Sequence, residues 1–279
     1  MKKEVNQKIN IFSSVGRRRE LLFQVTFYVL LMLFVGGLAS LFLATVLYID
    51  WETFKASVLD PEIQFSVKLS LITASITTVL AVLLGIPVSY ALSRFKIPGK
   101  NIVDTIIDFP IVLPPAVVGI CLLILFRYPI MQKMQDLSGI EFVYSQPGIV
   151  LAQFSIAASF GIRSIKAAFD SINPRFEQVA RTLGCSPSKA FWKVTLPLAK
   201  DGIIAGIVVT WARAIAEFGP ILFFCGATRM KTDVMPVAIF LNISIGHIEM
   251  AVAICILMMI TSGFTLILFK KLGGKGYVW

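Results

Sequence analysis

The sequence predicts an all-α polytopic membrane protein with six transmembrane helices. Three observations carry that expectation. The 279-residue chain is 57% hydrophobic and only 15% charged, whereas a soluble protein of this size carries roughly 25% charged residues. Its mean hydropathy is +0.82. Its charge-free runs are also long: 29 residues over 21–49, 25 over 69–93, 21 over 142–162, 20 over 250–269 and 18 over 109–126. A helix needs about 20 apolar residues to cross the hydrocarbon core. In lipid the backbone polar groups must be satisfied within the segment, so such runs read as helices. Five spans follow directly. A sixth, Gly202 to Thr228, is apolar except for Arg213 and Glu217.

Residues 1–20 are a polar, basic lead. The first span, 21–49, is much longer than the 7–15-residue apolar core of a signal peptide and reads as an uncleaved helix. An outer loop over 50–64 carries Asp50, Glu52, Asp60 and Glu62. The second span ends in Gly85-Ile86-Pro87 and then Ser89, Tyr90 and Arg94. The third opens with Pro110 and the pair Pro114-Pro115. Prolines remove backbone donors and disfavour helix just before them. Either a bent or broken entry follows, or the pair simply marks the start of the span. The fourth span holds Ala157, Ala158, Ser159 and Gly161, and the fifth Gly202-x-x-x-Gly206. Small residues of this kind let helices approach closely. The sixth span is Met250 to Phe269. The domain plan is therefore a lead (1–20), a first helix (21–49), a core (64–270) with a long loop at 164–200, and a tail (271–279).

The net charge is +10. Nineteen Lys and Arg fall on the side of the termini and of the loops after the second and fourth spans; five fall on the other side. By the positive-inside rule both termini are cytoplasmic and the chain is a multi-pass protein of the cytoplasmic membrane. Topology and attraction to anionic lipid account for the basic balance, so no nucleic-acid partner is expected. The four cysteines form no C-x-x-C pair, and His247 is the one histidine. No metal site, catalytic residue or cofactor is expected. No G-x-x-x-x-G-K-[ST] occurs, so no phosphate cradle is recognisable.

The loop over 164–200 reads as two short helices. Asn173 can cap the first, with Pro174 in its opening turn. Phe176, Val179, Ala180 and Leu183 lie on one apolar face. Gly184 suits a left-handed C-terminal position. Ser186-Pro187 restarts a helix that Pro197 ends. Helices this short are marginal alone in water, so the apolar stripe must dock, either back on the bundle or on a cytoplasmic partner.

In this loop Glu177 precedes Gly184 by seven positions, and Val194-Thr195-Leu196-Pro197 follows after nine more residues. That pattern resembles the E-A-A…G…I-x-L-P loop of importer-type ABC permeases. Gln178 and Val179 replace the two alanines, and Val194 stands where isoleucine is usual. The resemblance implies the type I ABC importer permease fold and a coupling helix that docks on an ATP-binding subunit. The residues implied in that coupling are Glu177, Ala180, Leu183, Gly184, Leu196 and Pro197. ATP hydrolysis is then expected in a separate chain, and none from this one.

Three further segments are similar to sulfate and molybdate permeases: 85–100, 110–119, and 211–219 with its Arg213-Ala214-Ile215-Ala216-Glu217-Phe218-Gly219. Thr232, Pro236, Ala238 and Ile239 fit the stretch that follows. Ala216 replaces a glycine, Ala227-Thr228 departs from the usual pattern, and Pro220 is unusual. The resemblance covers about residues 64–269. It implies two permease copies, two ATP-binding cassette subunits docking on 174–197 and an extracytoplasmic oxyanion-binding protein. The cargo implied is molybdate or tungstate, with sulfate or thiosulfate as the alternative; a secondary transporter or channel would not need the loop.

Arg213 and Glu217 lie at i, i+4 within a span, where charges are costly and face the bundle interior or a wet cavity. Two readings stand: transient attraction of an anion, or a self-neutralising pair that locks spans together. Arg213, Glu217, Phe218, Gly219, Pro114 and Pro115 are the candidate pathway residues. A homodimer is expected, because six helices alone enclose only a small pore; a heterodimer with a related permease is the alternative.

Overall fold

The computed structural model describes residues 2–272, with side chains over 20–265 and at Ile267. The last seven residues of the expected C-terminal tail, 273–279, lie outside the described residues. The chain divides into two units at Asp50. The first contains α1 (Lys2–Tyr48), in which the basic lead and the first span form one uninterrupted helix. Its apolar side chains from Leu21 to Tyr48 are exposed almost throughout, as expected of a helix whose solvent is lipid.

The second unit is helical along its described length: α2 (Trp51–Leu59), α3 (Pro61–Arg94), α4 (Lys100–Val112), α5 (Pro115–Leu125), α6 (Pro129–Ser138), α7 (Gln146–Ser171), α8 (Arg175–Thr182), α9 (Pro187–Ala190), a π-helical turn (Phe191–Thr195), α10 (Leu196–Leu198), α11 (Lys200–Ile215), α12 (Gly219–Cys225), α13 (Met235–Ser244) and α14 (Ile248–Leu272). Among the described residues of the whole chain, four helices, α1, α3, α7 and α14, are long and apolar enough to cross a membrane, and up to six spans result if each sharply bent pair counts as one.

α3, α7 and α11 form the centre. Asp60 caps α3, its carboxylate accepting from the Glu62 and Ile63 amides, with Pro61 in the first turn. α3 and α7 run in the same direction. Thr77 donates to Gln153, and Gln153 donates back to Thr73, a polar trio buried between the two helices. Further along, the Ser89 hydroxyl donates to the Ile162 carbonyl. α11 runs antiparallel to α7, and the small residues fulfil the close-approach expectation within the subunit. A Cβ on Gly161 would lie 2.2 Å from Thr210 Oγ1, one on Gly202 2.2 Å from Ala168 Cβ, and one on Gly206 2.6 Å from Ile165. Around this centre, Trp211, Ala214, Ile215, Met235, Ala238 and Ile254 join Ile63 and Ala74 in one apolar cluster.

Three boundaries differ from those expected, and the third span takes the broken entry that Pro114-Pro115 offered as one of two readings. The third span is not one helix from 109 to 126: α4 ends at Val112, the chain turns through 112°, and α5 resumes at Pro115. Leu113 and Pro114 are extended, as the residue before a proline prefers. At eleven residues α5 is only about 16 Å long, well short of a hydrocarbon core about 30 Å thick. The fifth span, expected over 202–228, breaks after Ile215 and resumes as α12 at Gly219, because Pro220 fixes a new helix start there. α7 continues to Ser171, so the loop expected from 164 begins at Ile172. Pro197 does not end the second loop helix. It sits inside α10, after a π turn that carries the chain across the missing donor, and the chain bends by 71° before α11.

Candidate functional site

Two features at different levels of the second unit draw together the residues singled out in the sequence. The first is the segment between α7 and α11. Asn173 Oδ1 accepts from the Arg175 amide at 3.0 Å and opens α8. Gly184 closes it with φ +88° and nothing near a would-be Cβ, so its backbone conformation, not space, calls for glycine there. Ser186 then caps α9, accepting from the Lys189 amide, with Pro187 at its first position.

α8 divides its side chains between two faces. Ala180 is buried, but Phe176, Val179 and Leu183 are 56%, 57% and 80% exposed. The apolar stripe is therefore not spent on the chain's own bundle. Glu177 points the other way. Its Oε1 accepts from Arg94 Nε at 2.9 Å, and its Oε2 accepts from the Tyr90 hydroxyl at 3.0 Å. Thr195 Oγ1, fully buried, neighbours the same carboxylate but lies outside hydrogen-bond geometry. The arginine and glutamate side chains are only 10% and 13% exposed, so removing one partner costs up to about 3–5 kcal/mol. Burial works against the charged glutamate, yet the hydrogen bonds, that from Arg94 foremost, outweigh it and hold the carboxyl below its ordinary range.

Around this pair the fold is well packed. The Tyr90 ring meets Phe191, Phe169 and Phe95 edge to face at 4.6, 5.6 and 5.7 Å. Phe169, Ile172, Ala199 and Ile203 form a cluster to which Phe191 and Leu196 contribute. Leu196 thus faces the bundle, whereas Pro197 is exposed. A cleft of about 270 Å³ lies between the end of α3 and α8, lined by Tyr90, Arg94, Glu177 and Arg181 among others.

The second feature is the meeting of the two broken helices. A Cβ on Gly219 would lie 2.8 Å from the Ala116 nitrogen and 3.1 Å from Pro115, and one on Gly119 would lie 2.7 Å from Pro220 Cα. α5 and α12 therefore start side by side, backbone against backbone. The structure brings Pro115 and Gly219 together; Pro114, just before, is exposed. Arg213, in the last turn of α11, pairs with Glu217 at 3.2 Å. Glu217 stands beyond the helix end, with 1% of its side chain exposed against 29% for Arg213. The guanidinium also lies over the Phe160 ring at 5.5 Å. Phe218 packs on Phe240.

Sequence reasoning missed several functional-looking groups. Arg94 and Tyr90 were legible only as part of a motif. Gln153 carries no signal besides being polar in an apolar run. Arg163 clamps α4 across α7: it pairs with Asp108, and with Asp104 through both carboxylate (2.9 Å) and carbonyl (2.7 Å). At the far end of α3, Glu62 pairs with Arg229 beside the buried Asp233, whose Oδ1 has no hydrogen-bond partner. Burial pushes the Asp233 carboxyl up.

Comparison with known proteins bears on what such a scaffold does. The family described as binding-protein-dependent transport system inner membrane component matches residues 78–274. The molybdenum transport system permease protein ModB of Mycobacterium tuberculosis is 33% identical over 225 residues, 80% of this chain and 85% of that one. The molybdate/tungstate transport system permease protein WtpB of Pyrococcus furiosus is 39% identical over 173 residues, 62% of this chain and 65% of that one. Among solved structures, a chain of the bacterial alginate ABC transporter, in complex with an alginate pentasaccharide-bound periplasmic protein, superposes with a TM-score of 0.75 at 17% identity. The match covers 93% of this chain and 98% of that one. At that identity the likeness establishes the fold.

Proposed function

We propose, from the premise that this chain belongs to the inner membrane components of binding-protein-dependent transport systems, that it is the permease subunit of an ABC importer carrying molybdate or tungstate. The relatives named for those anions support the cargo. The observation that carries the mechanism is the two-faced α8. Its apolar side is bare, and its polar side is held to α3 by a shielded ion pair. Such a helix is suited to receive a partner on one face and to pass the displacement inward on the other.

In this reading both termini and the 172–199 segment face the cytoplasm, as the distribution of Lys and Arg favours. Two ATPase subunits dock on residues 174–197 of two permease copies, and an extracytoplasmic binding protein delivers the anion. The permease is a two-state element biased from both sides, and hydrolysis in the partner chains resets it. The pathway lies along the paired helix breaks at Pro114, Pro115, Phe218 and Gly219, where short α5 and α12 leave irregular backbone. Non-helical backbone at membrane depth is tolerated where protein or a wet cavity shields it. Arg213 attracts the passing oxyanion, and the buried Glu217 keeps that attraction weak enough for release.

The test is anion uptake by proteoliposomes holding the permease, its ATPase subunits and its binding protein. ATP-dependent molybdate or tungstate uptake that sulfate does not compete away is expected. Uptake that sulfate abolishes at equal concentration reassigns the cargo to sulfate. Uptake that persists without the ATPase chain makes the protein a secondary transporter or channel and contradicts the proposal.

A further inference from the structure

We infer that Arg94, with Tyr90 beside it, is a positioning residue for energy coupling: a clamp at the end of α3 that converts displacement of α8 into displacement of α3. The inference deepens the proposed function and rests on its reading that α8 receives the ATPase.

Apart from packing on α9 and the π-helical turn of its own segment, α8 is held to the bundle by little else. Two short linkers join it to α7 and α9, and Ala180 is its one buried side chain. Among the described residues, Glu177 is the side chain of α8 that hydrogen-bonds another helix. Both of its carboxylate oxygens are taken, one by Arg94 and one by Tyr90. The guanidinium does more than pair with it. Its Nη2 donates to the Ile172 carbonyl at 2.9 Å, which fixes the chain just before α8, and its Nη1 donates to Ser93 Oγ at 3.1 Å. Ser93 in turn donates to Asp170 at 2.6 Å, and Lys166 holds the other oxygen of Asp170 at 2.8 Å. One planar, always-charged fork therefore ties α8, the entry to α8 and the ends of α3 and α7 into a single joint.

The joint has somewhere to send motion. α3 is one helix of 34 residues, about 50 Å long. Towards its other end the Ser70 hydroxyl accepts from the Met235 amide at 2.7 Å. Movement at Arg94 thus reaches the first turn of α13. A glutamate aimed at the ATPase would leave α8 with no polar tie to α3. A glutamate aimed at Arg94 makes α8 and α3 move together.

The experiment uses the reconstituted complex of permease, ATPase subunits and binding protein, and reads anion uptake per ATP hydrolysed together with retention of the ATPase subunits on purification. Arg94→Gln is expected to lower that ratio roughly tenfold, the scale at which a single substitution shifts a coupling equilibrium, with the ATPase subunits retained. Tyr90→Phe lowers it about twofold, in line with loss of one hydrogen bond. The exchange Arg94→Glu with Glu177→Arg recovers part of the loss. Arg94→Lys retains the charge but lacks the fork, and serves if Arg94→Gln does not assemble; a reduced ratio in the assembled lysine variant supports the clamp. A wild-type ratio in Arg94→Gln or Arg94→Lys overturns it. So does release of the ATPase subunits from the lysine variant, which would make Arg94 a purely structural hold. ATP-independent uptake by the wild-type complex would instead sink the proposed function, so the two failures are distinguishable.

Discussion

Individual residues set the tolerances of this fold. Gly161 has no room for a methyl group, since Thr210 Oγ1 occupies the place of a Cβ. Gly161→Ala is expected to cost about 1–3 kcal/mol by overpacking, read as a lower melting temperature in detergent; an unchanged melting temperature contradicts the α7–α11 packing. Gly184 differs: it faces open space, and only its positive φ excludes a side chain. Asp233 supplies a pH dependence. Burial raises its folded-state value above the ordinary 3.8, so the fold binds that proton more tightly than the unfolded chain does. Its contribution to stability is present below the unfolded value and is lost as pH rises through the folded one. The wild-type chain is therefore expected to lose melting temperature relative to Asp233→Asn as pH rises above the ordinary 3.8. A gap between the two proteins that does not change with pH refutes the assignment. For Glu177 the sign is opposite. Its depressed carboxyl keeps the Arg94 pair intact above the ordinary 4.5, and the pair is lost only in stronger acid. Arg213 has a test of its own. Arg213→Ala is expected to abolish uptake while binding-protein-stimulated ATPase activity persists, and normal uptake removes it from the pathway. The i, i+4 spacing of Arg213 and Glu217 made their pairing legible. The inward turn of Glu177 was not, because a spacing within one loop does not reveal which distant helix supplies the counter-charge.

At the scale of elements, the proposed function rests on α8 and the broken helices. Leu183→Asp places a charge in the bare stripe without touching the packed face, since Leu183 is the most exposed of its three apolar residues. That variant is expected to fold, to keep the Arg94–Glu177 pair, and to lose co-purification of the ATPase chain by more than about tenfold, as an interface anchor does. Retained co-purification places the docking surface elsewhere. The break before α5 was announced by Pro114-Pro115, because consecutive prolines force extended backbone. The break after Ile215 had a weaker announcement, Gly219-Pro220, which marks a helix start as well as a stop. The fifth span's low charge hid it, because hydropathy measures suitability for lipid and not continuity of the hydrogen-bond ladder. The ends of α7 and α10 were misplaced for a related reason. Charge marks the membrane boundary, and helices continue past it while their backbone donors find acceptors. The helices α6 and α13 lie in segments too short or too polar to signal a span; packing of Met235, Val237 and Ala238 sets α13, whereas α6 buries no side chain and is bounded by Pro129 at its first position and the left-handed Gly139 at its end.

As a whole, the molecule is a membrane scaffold with its irregular features concentrated at two levels. The paired breaks of α5 and α12 lie within the bundle, and a two-faced projection lies at the end shared by α3 and α7. Composition and run length were enough to identify the class, because a bilayer admits few solutions for a spanning backbone. They could not give the relation between the two levels, which depends on contacts between helices distant in sequence. The central claim is that residues 174–197 receive an ATPase. It is tested most directly by Leu183→Cys in a chain whose four native cysteines are replaced, crosslinked in native membranes in the presence of the ATPase subunits. A crosslinked permease–ATPase species whose yield changes with ATP is expected. The absence of that species, together with labelling of the same cysteine by a membrane-impermeant reagent added from outside intact cells, would contradict it.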